Sequence, residues 1–142
     1  MPMLPTSPDD RLQRIAALAR YGTLLLLAGF FVATHIPIEV IPRQVHVSDK
    51  IAHCLAYMLM TTSTLASWEL STGLLRPQHY FLVWLVGTIY GAFDEVTQIP
   101  VGRHCDGLDW FSDILGIVLG LTLYRLARPL VHRLVRFKVA LN

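Results

Sequence analysis

Three stretches of the chain hold residue types that move protons, bind anions or coordinate cations. Asp49, His53 and Tyr57 recur every four residues and so share one helix face. Asp94 and Glu95 stand four and three residues before Gln98, again on one face, which continues inward through Gly91 and Gly87. Asp109, Asp113, Gly116 and Gly120 form a third stripe, with Arg103 in the short connection before it and Lys50 beside Asp49. His53, paired with Asp49 or Glu95, can exchange a proton near neutral pH. Arg103 can grip a phosphoryl group by two parallel bonds and Lys50 can attract it as a point charge. Carboxylates from two helices suit a hard divalent cation such as Mg2+ that bridges to phosphate. On this reading Asp49, His53, Glu95 and Asp109 are catalytic. Lys50, Tyr57, Gln98 and Arg103 bind substrate, and Asp94, Glu95, Asp109 and Asp113 hold the cation. The competing reading is an ion-pair network that only pins helices together.

The elements that position these groups are apolar. Of 142 residues, 54% are hydrophobic and 15% charged, against about 25% charged in a soluble domain. The uncharged runs 21–36, 51–68, 80–93 and 114–124 are separated by Pro- and Gly-containing connections. A span needs about 20 residues, so the last two runs must take in flanking polar turns. Asp94, Glu95, Asp109 and Asp113 then fall at or inside the hydrocarbon boundary, where ionisable groups are costly and usually functional. The expected fold is all-α, an integral membrane bundle of four transmembrane helices with spans near 21–38, 51–70, 79–98 and 109–127. Residues 1–20 form an amphipathic N-terminal segment capped by Ser7-Pro8, residues 21–128 the membrane domain, and residues 129–142 a basic tail on the inner interface. The first run lacks a convincing cleavage site and reads as a retained span.

Lys and Arg set the orientation. Nine of twelve lie in the two tails and the middle connection, leaving Arg43, Lys50 and Arg103 for the other side. Both termini are therefore expected in the cytoplasm. Seven of ten carboxylates (Glu39, Asp49, Asp94, Glu95, Asp106, Asp109 and Asp113) and four of six histidines (His35, His46, His53 and His104) gather at the outer ends. Glu69, His79 and His132 fall on the inner side, the two histidines as interfacial residues. His35 and His46 read as loop or interface histidines, and Trp68, Trp84 and Trp110 as interface anchors. Met58 and Met60 read as core. Gly116-x-x-x-Gly120 fits packing inside the bundle or a dimer face. Cys54 and Cys105 share the outer side, and pairing between them is open. A net charge of +2 without a clustered basic face argues against nucleic-acid binding. Patterns for a zinc HExxH helix or a phosphate-binding glycine loop are missing, and a single polar end gives a channel no continuous path.

Asp49-Lys50-x-x-His53-x-x-x-Tyr57, then Asp94-Glu95-x-x-Gln98, then Pro100-x-Gly102-Arg103 with Asp109 and Gly116 beyond, resembles the VanZ-like family. The three blocks stand in the family's order and cover about half the chain. The resemblance implies a small multi-span protein of the bacterial inner membrane and cell envelope, in a family whose founding member is associated with low-level teicoplanin resistance. It departs from the family pattern at Asp113, where Asn is more usual, and at Cys105-Asp106; an extra acid at 113 would alter any ion preference. Two functions follow as expectations. One is processing of a phosphorylated or lipid-linked envelope substrate; the other is non-catalytic binding of an envelope component or glycopeptide that alters drug access. Membrane lipids are the expected surroundings, with a homo-oligomer as a further option.

Overall fold

A computed structural model describes residues 8–37, 48–103 and 105–139 of the chain; Ser7, Glu39, Arg43, His46 and His104 lie outside them. Four helices make up the described fold: α1 (Pro8–Thr34), α2 (Asp49–Thr72), α3 (Pro77–Thr97) and α4 (Gly107–Val139), with one 3-10 turn at Ile99–Val101. No strand occurs among the described residues. Prolines with fixed φ open α1 and α3. At the start of α3, His79 Nδ1 accepts from the Arg76 amide at 2.8 Å, closing the first turn as a capping-box side chain does. Gly73 at φ +91° and Gly102 at φ +79° end α2 and the 3-10 turn in backbone that side-chain-bearing residues rarely adopt.

Two element boundaries differ from the sequence expectation. The N-terminal segment does not form a helix of its own, because α1 runs unbroken from Pro8 to Thr34. The basic tail likewise prolongs α4 through Pro129 to Val139. Pro129 removes one N–H donor, so the Arg125 carbonyl loses its intrahelical partner, but the helix carries on.

Serine and threonine are frequent in α2, yet they do not break it. Thr62, Ser67, Ser71 and Thr72 each donate to a carbonyl three or four residues back on their own helix. Thr62 also reaches the Gly120 carbonyl of α4 at 3.2 Å.

The α2–α4 pair is the centre of the bundle, with α1 laid on α2 and α3 on α4. Glycine makes that centre close. A methyl group at Gly116 would overlap the Cys54 carbonyl oxygen, and one at Gly120 would lie 2.6 Å from that of Met58. Both glycines face backbone that cannot yield, so the stripe packs inside the bundle and α2 occupies the face a dimer would need. Gly91 and Gly87 of α3 instead make room for side chains of α4, those of Asp113 and Ile117. Two apolar clusters fill the space left: Tyr57, Met60 and Ile117 toward one end, Leu65, Leu75 and Tyr124 toward the other.

Polarity is inverted relative to a water-soluble bundle. Among the described residues, eleven polar side chains are buried against seven apolar ones. Leu18, Leu25, Leu126 and many other large apolar residues are exposed. Soluble monomers rarely expose contiguous apolar area beyond a few hundred Å², whereas here large apolar residues are exposed on all four helices. Two stretches, Gln13–Thr34 and Gly107–Arg133, are long and apolar enough to cross a membrane. These are the features of a membrane protein.

Gly116→Ala should therefore force α2 and α4 apart and destabilise the protein by about 1–3 kcal/mol, the usual cost of overpacking. Thermal melting in detergent checks this. Gly29→Ala, where a methyl group meets nothing within 4 Å, should leave the midpoint within a degree or two.

Candidate functional site

The ends of α2, α3 and α4 nearest the 3-10 turn bring three polar groups together. In the deepest, His53 of α2, Glu95 of α3 and Asp113 of α4 are each at most 3% exposed. His53 Nδ1 lies 2.9 Å from Asp113 Oδ1 and 4.0 Å from Glu95 Oε1. Hydrogen bonding to an ionised Asp113 places the proton on Nδ1 and leaves Nε2 as the basic nitrogen. Phe30 of α1 stands edge-on to both His53 and Tyr57, with ring centroids 5.6 and 5.4 Å away. Tyr57 OH, Glu95 Oε1 and Asp113 Oδ2 are buried and have no hydrogen-bond partner.

A second group joins α1 to α3. Asp94 accepts from Thr34 Oγ1 at 3.2 Å and from Gln98 Nε2 at 3.1 Å. His35 Nδ1 is 2.8 Å from the Phe31 carbonyl, which can only accept, so this nitrogen carries the proton. Its Nε2 lies 3.1 Å from Thr97 Oγ1. His35 is thus a bridging residue between two helices rather than a free loop side chain.

The third group closes the top. Lys50 Nζ bonds Asp106 Oδ2 at 2.8 Å and Asp109 Oδ1 at 3.0 Å. The Asp106 backbone N–H then donates to Glu95 Oε2 at 2.9 Å, tying this group to the first. Hydrogen bonds from Lys50 hold the Asp106 carboxyl below the ordinary aspartate range, and the two acids raise the lysine.

Of the residues picked from sequence, His53, Tyr57, Glu95 and Asp113 come together, while Asp94 and Gln98 pair with each other beside them. Asp49 does not join. It occupies the first position of α2, where a side chain tilted toward the N-terminus projects past the helix end, and it is exposed. Asp113 takes the imidazole instead. Arg103 does not cover the acids from above: its Nε donates at 3.2 Å to the Ile36 carbonyl, one of the unsatisfied carbonyls that follow a helix. Lys50 and Asp109 bind each other. The four-carboxylate cation set is thereby split, since Asp94 belongs to Thr34 and Gln98, and Asp109 to Lys50. The donors that converge are His53, Glu95 and Asp113, whose ligand atoms all lie within 4.8 Å of one another. Cys54 and Cys105 are both free thiols.

Sequence reasoning missed Thr34, whose only signal is a hydroxyl at the end of an apolar run, and gave Asp106 no role. It also missed a polar cluster at the far end of the bundle. There Glu69, fully buried, has His132 Nε2 at 2.7 Å and Arg128 Nε at 3.6 Å. Neither contact is aligned as a hydrogen bond. Arg128 Nη2 donates to the Leu75 carbonyl at 2.9 Å, so the cluster ties α4 to α2 and to the connection after it.

The depressed carboxyl of Asp106 sets a pH expectation. Its contribution to stability is present above the unfolded aspartate value, about 3.9, and is lost as pH falls through the lower folded value. Nuclear magnetic resonance titration of the side-chain carboxyl should find Asp106 below about 3.9 in the wild type and shifted up toward it in Lys50→Met.

A family model described as VanZ/LLP1 matches residues 24–128. No curated protein and no solved structure matches the chain. The matched stretch is most of the sequence, and it contains every residue of the three linked polar groups. The chain belongs to the VanZ/LLP1 family.

Proposed function

We propose that this is a four-span protein of the bacterial cytoplasmic membrane, with both termini in the cytoplasm, whose outer end acts on the phosphorylated headgroup of a lipid-linked envelope substrate. The observation that carries the reading is an apolar groove with Tyr57 and Tyr90 in its walls, residues that lie one helical turn inward of the polar group at His53 and Asp94. Leu27 of α1, Tyr57, Met60 and Trp68 of α2, and Val86 and Tyr90 of α3 are among its walls, which enclose about 400 Å³. Tyr57 is one helical turn from His53, and Tyr90 one turn from Asp94. Helices α1 and α3 meet at Thr34–Asp94 and His35–Thr97, and further inward the groove has Leu27 of α1 on one side and residues of α3 on the other. That is the shape for a hydrocarbon tail entering from the bilayer with its polar head against the acids.

Four spans accord with helix length. At 1.5 Å per residue, α2 and α3 are about 36 and 32 Å long, against a hydrocarbon core of about 30 Å. The basic tails support the orientation. In the proposed reaction, a hydrolysis, Asp113 orients His53, whose Nε2 takes a proton from water as the water oxygen bonds to phosphorus. The phosphorus–oxygen bond to the leaving group breaks, and Glu95, protonated beforehand, gives its proton to the departing oxygen. Arg103 is tied to Ile36 through Nε alone among the described residues, which leaves its terminal nitrogens to meet a phosphate oxygen. Lys50 would have to leave Asp106 to do so. The link to glycopeptide resistance belongs to this proposal through the family alone.

Envelope lipids and wall precursors would be profiled by mass spectrometry in cells expressing wild type, Glu95→Gln or Val86→Trp, matched for protein in the membrane. Glu95→Gln should lower conversion by roughly a hundredfold or more, within the range for a lost acid–base group. Val86, 56% exposed in the groove wall, should block tail entry when replaced by Trp. Identical profiles with all three proteins folded would overturn turnover and favour a non-catalytic binder of the same envelope component.

A further inference from the structure

The group formed by His53, Glu95 and Asp113 contains more carboxyl groups than its surroundings can pair. Two buried carboxylates face one imidazole. Of the cations that sequence places nearby, Lys50 is paired with Asp106 and Asp109, and Arg103 reaches the Ile36 carbonyl through Nε and bonds neither of these acids. Glu95 Oε1 and Asp113 Oδ2 are buried without any hydrogen-bond partner. Buried charge of this kind has to be met by protons or by a cation.

We propose that His53 Nδ1, Glu95 Oε1 and a carboxylate oxygen of Asp113 bind one divalent transition-metal ion of the zinc or manganese class. One donor comes from each of three helices, and the three converge within 4.8 Å. An ion with bonds of about 2.0–2.2 Å spans roughly 4.2 Å between opposite ligands, so small side-chain movements complete the site. The donor chemistry selects the ion. Magnesium prefers oxygen ligands and retains its waters, whereas imidazole with carboxylate suits zinc, manganese or iron.

Supporting bonds are already in place. The Asp106 N–H holds Glu95 Oε2 at 2.9 Å, which aims the other oxygen at His53. Gly91 leaves the room that Asp113 fills, because a methyl group there would stand 2.9 Å from Asp113 Oδ2. Binding displaces the Nδ1 proton, so affinity falls as pH falls. Three protein ligands leave coordination positions open. The inference rests on the reading of the outer-end site given above only for its purpose, which is to receive a phosphate oxygen of the headgroup.

The test uses tag-free, full-length protein in lipid nanodiscs, stripped with a chelator and titrated separately with Zn2+, Mn2+ and Mg2+. Calorimetry and thermal melting are the readouts. One equivalent of Zn2+ or Mn2+ should bind and raise the melting midpoint, with Mg2+ far weaker. Asp113→Asn and His53→Gln should each weaken binding by roughly tenfold or more, while Asp94→Asn should not. Absence of stoichiometric binding to the wild type would overturn the proposal, as would equal affinity in the Asp113→Asn and wild-type proteins. A folded Asp113→Asn protein is verified by its circular dichroism, and wild-type stoichiometry decides the matter if it does not fold. Metal binding without lipid conversion would uphold the ion and sink the substrate; lipid conversion by a wild-type protein that binds no stoichiometric metal would do the reverse.

Discussion

A carboxylate held between apolar helices has no water to turn to, and its partners must come from neighbouring helices or from a ligand. Glu69, Asp94, Glu95 and Asp113 are all placed in this way. Each requires that helices approach closely and in one register. The glycines at 87, 91, 116 and 120 supply the approach, and Thr62, Ser63, Ser67, Ser71 and Thr72 of α2 donate to carbonyls of their own helix, so they add no competing demand. The outer surface, relieved of polar groups, is left to leucine, valine, isoleucine and phenylalanine. Core, surface and site thus follow from one requirement.

The two ends of the bundle meet that requirement differently. Around Glu69 the imidazole of His132 and the guanidinium of Arg128 are close at hand, and Arg128 extends the tie to the Leu75 carbonyl. This is what a structural clasp looks like: it fastens α4 to α2 and to the connection beyond. At the other end Lys50 stops short, bound to Asp106 and Asp109, so that two buried carboxyls, Glu95 and Asp113, share one imidazole and have no guanidinium beside them. Pinning explains the first arrangement. In the second it leaves one carboxyl more than the imidazole between them can pair.

Much of this was legible in the sequence. Helix class, the approximate limits of α2 and α3, the glycine stripes and the face shared by His53 and Tyr57 all follow from periods of three and four. Partner choice was not, because periodicity relates residues only along one helix. Asp49 is four residues from His53, yet a helix's first residue points away from its body, and Asp113 arrives from another element. Arg103 was legible as a cation in the right loop; the competing attraction of a helix-end carbonyl was not. Thr34, Glu69 and His132 gave no signal, since one hydroxyl or one charge in an apolar stretch does not say what will pack against it. The long unbroken α1 and α4 were obscured by changes in composition that ended the apolar runs without ending the helices.

Everything proposed for the polar end depends on its facing outward, where envelope substrates lie. Cys105 offers a direct probe: it is an exposed free thiol next to Asp106, while Cys54 is half-buried. Intact spheroplasts would be treated with a membrane-impermeant maleimide, with Cys105→Ser as the control. Labelling of the wild type without permeabilisation, lost in Cys105→Ser, is the expected result. Labelling that requires permeabilisation would place the acids on the cytoplasmic side and contradict the proposed function.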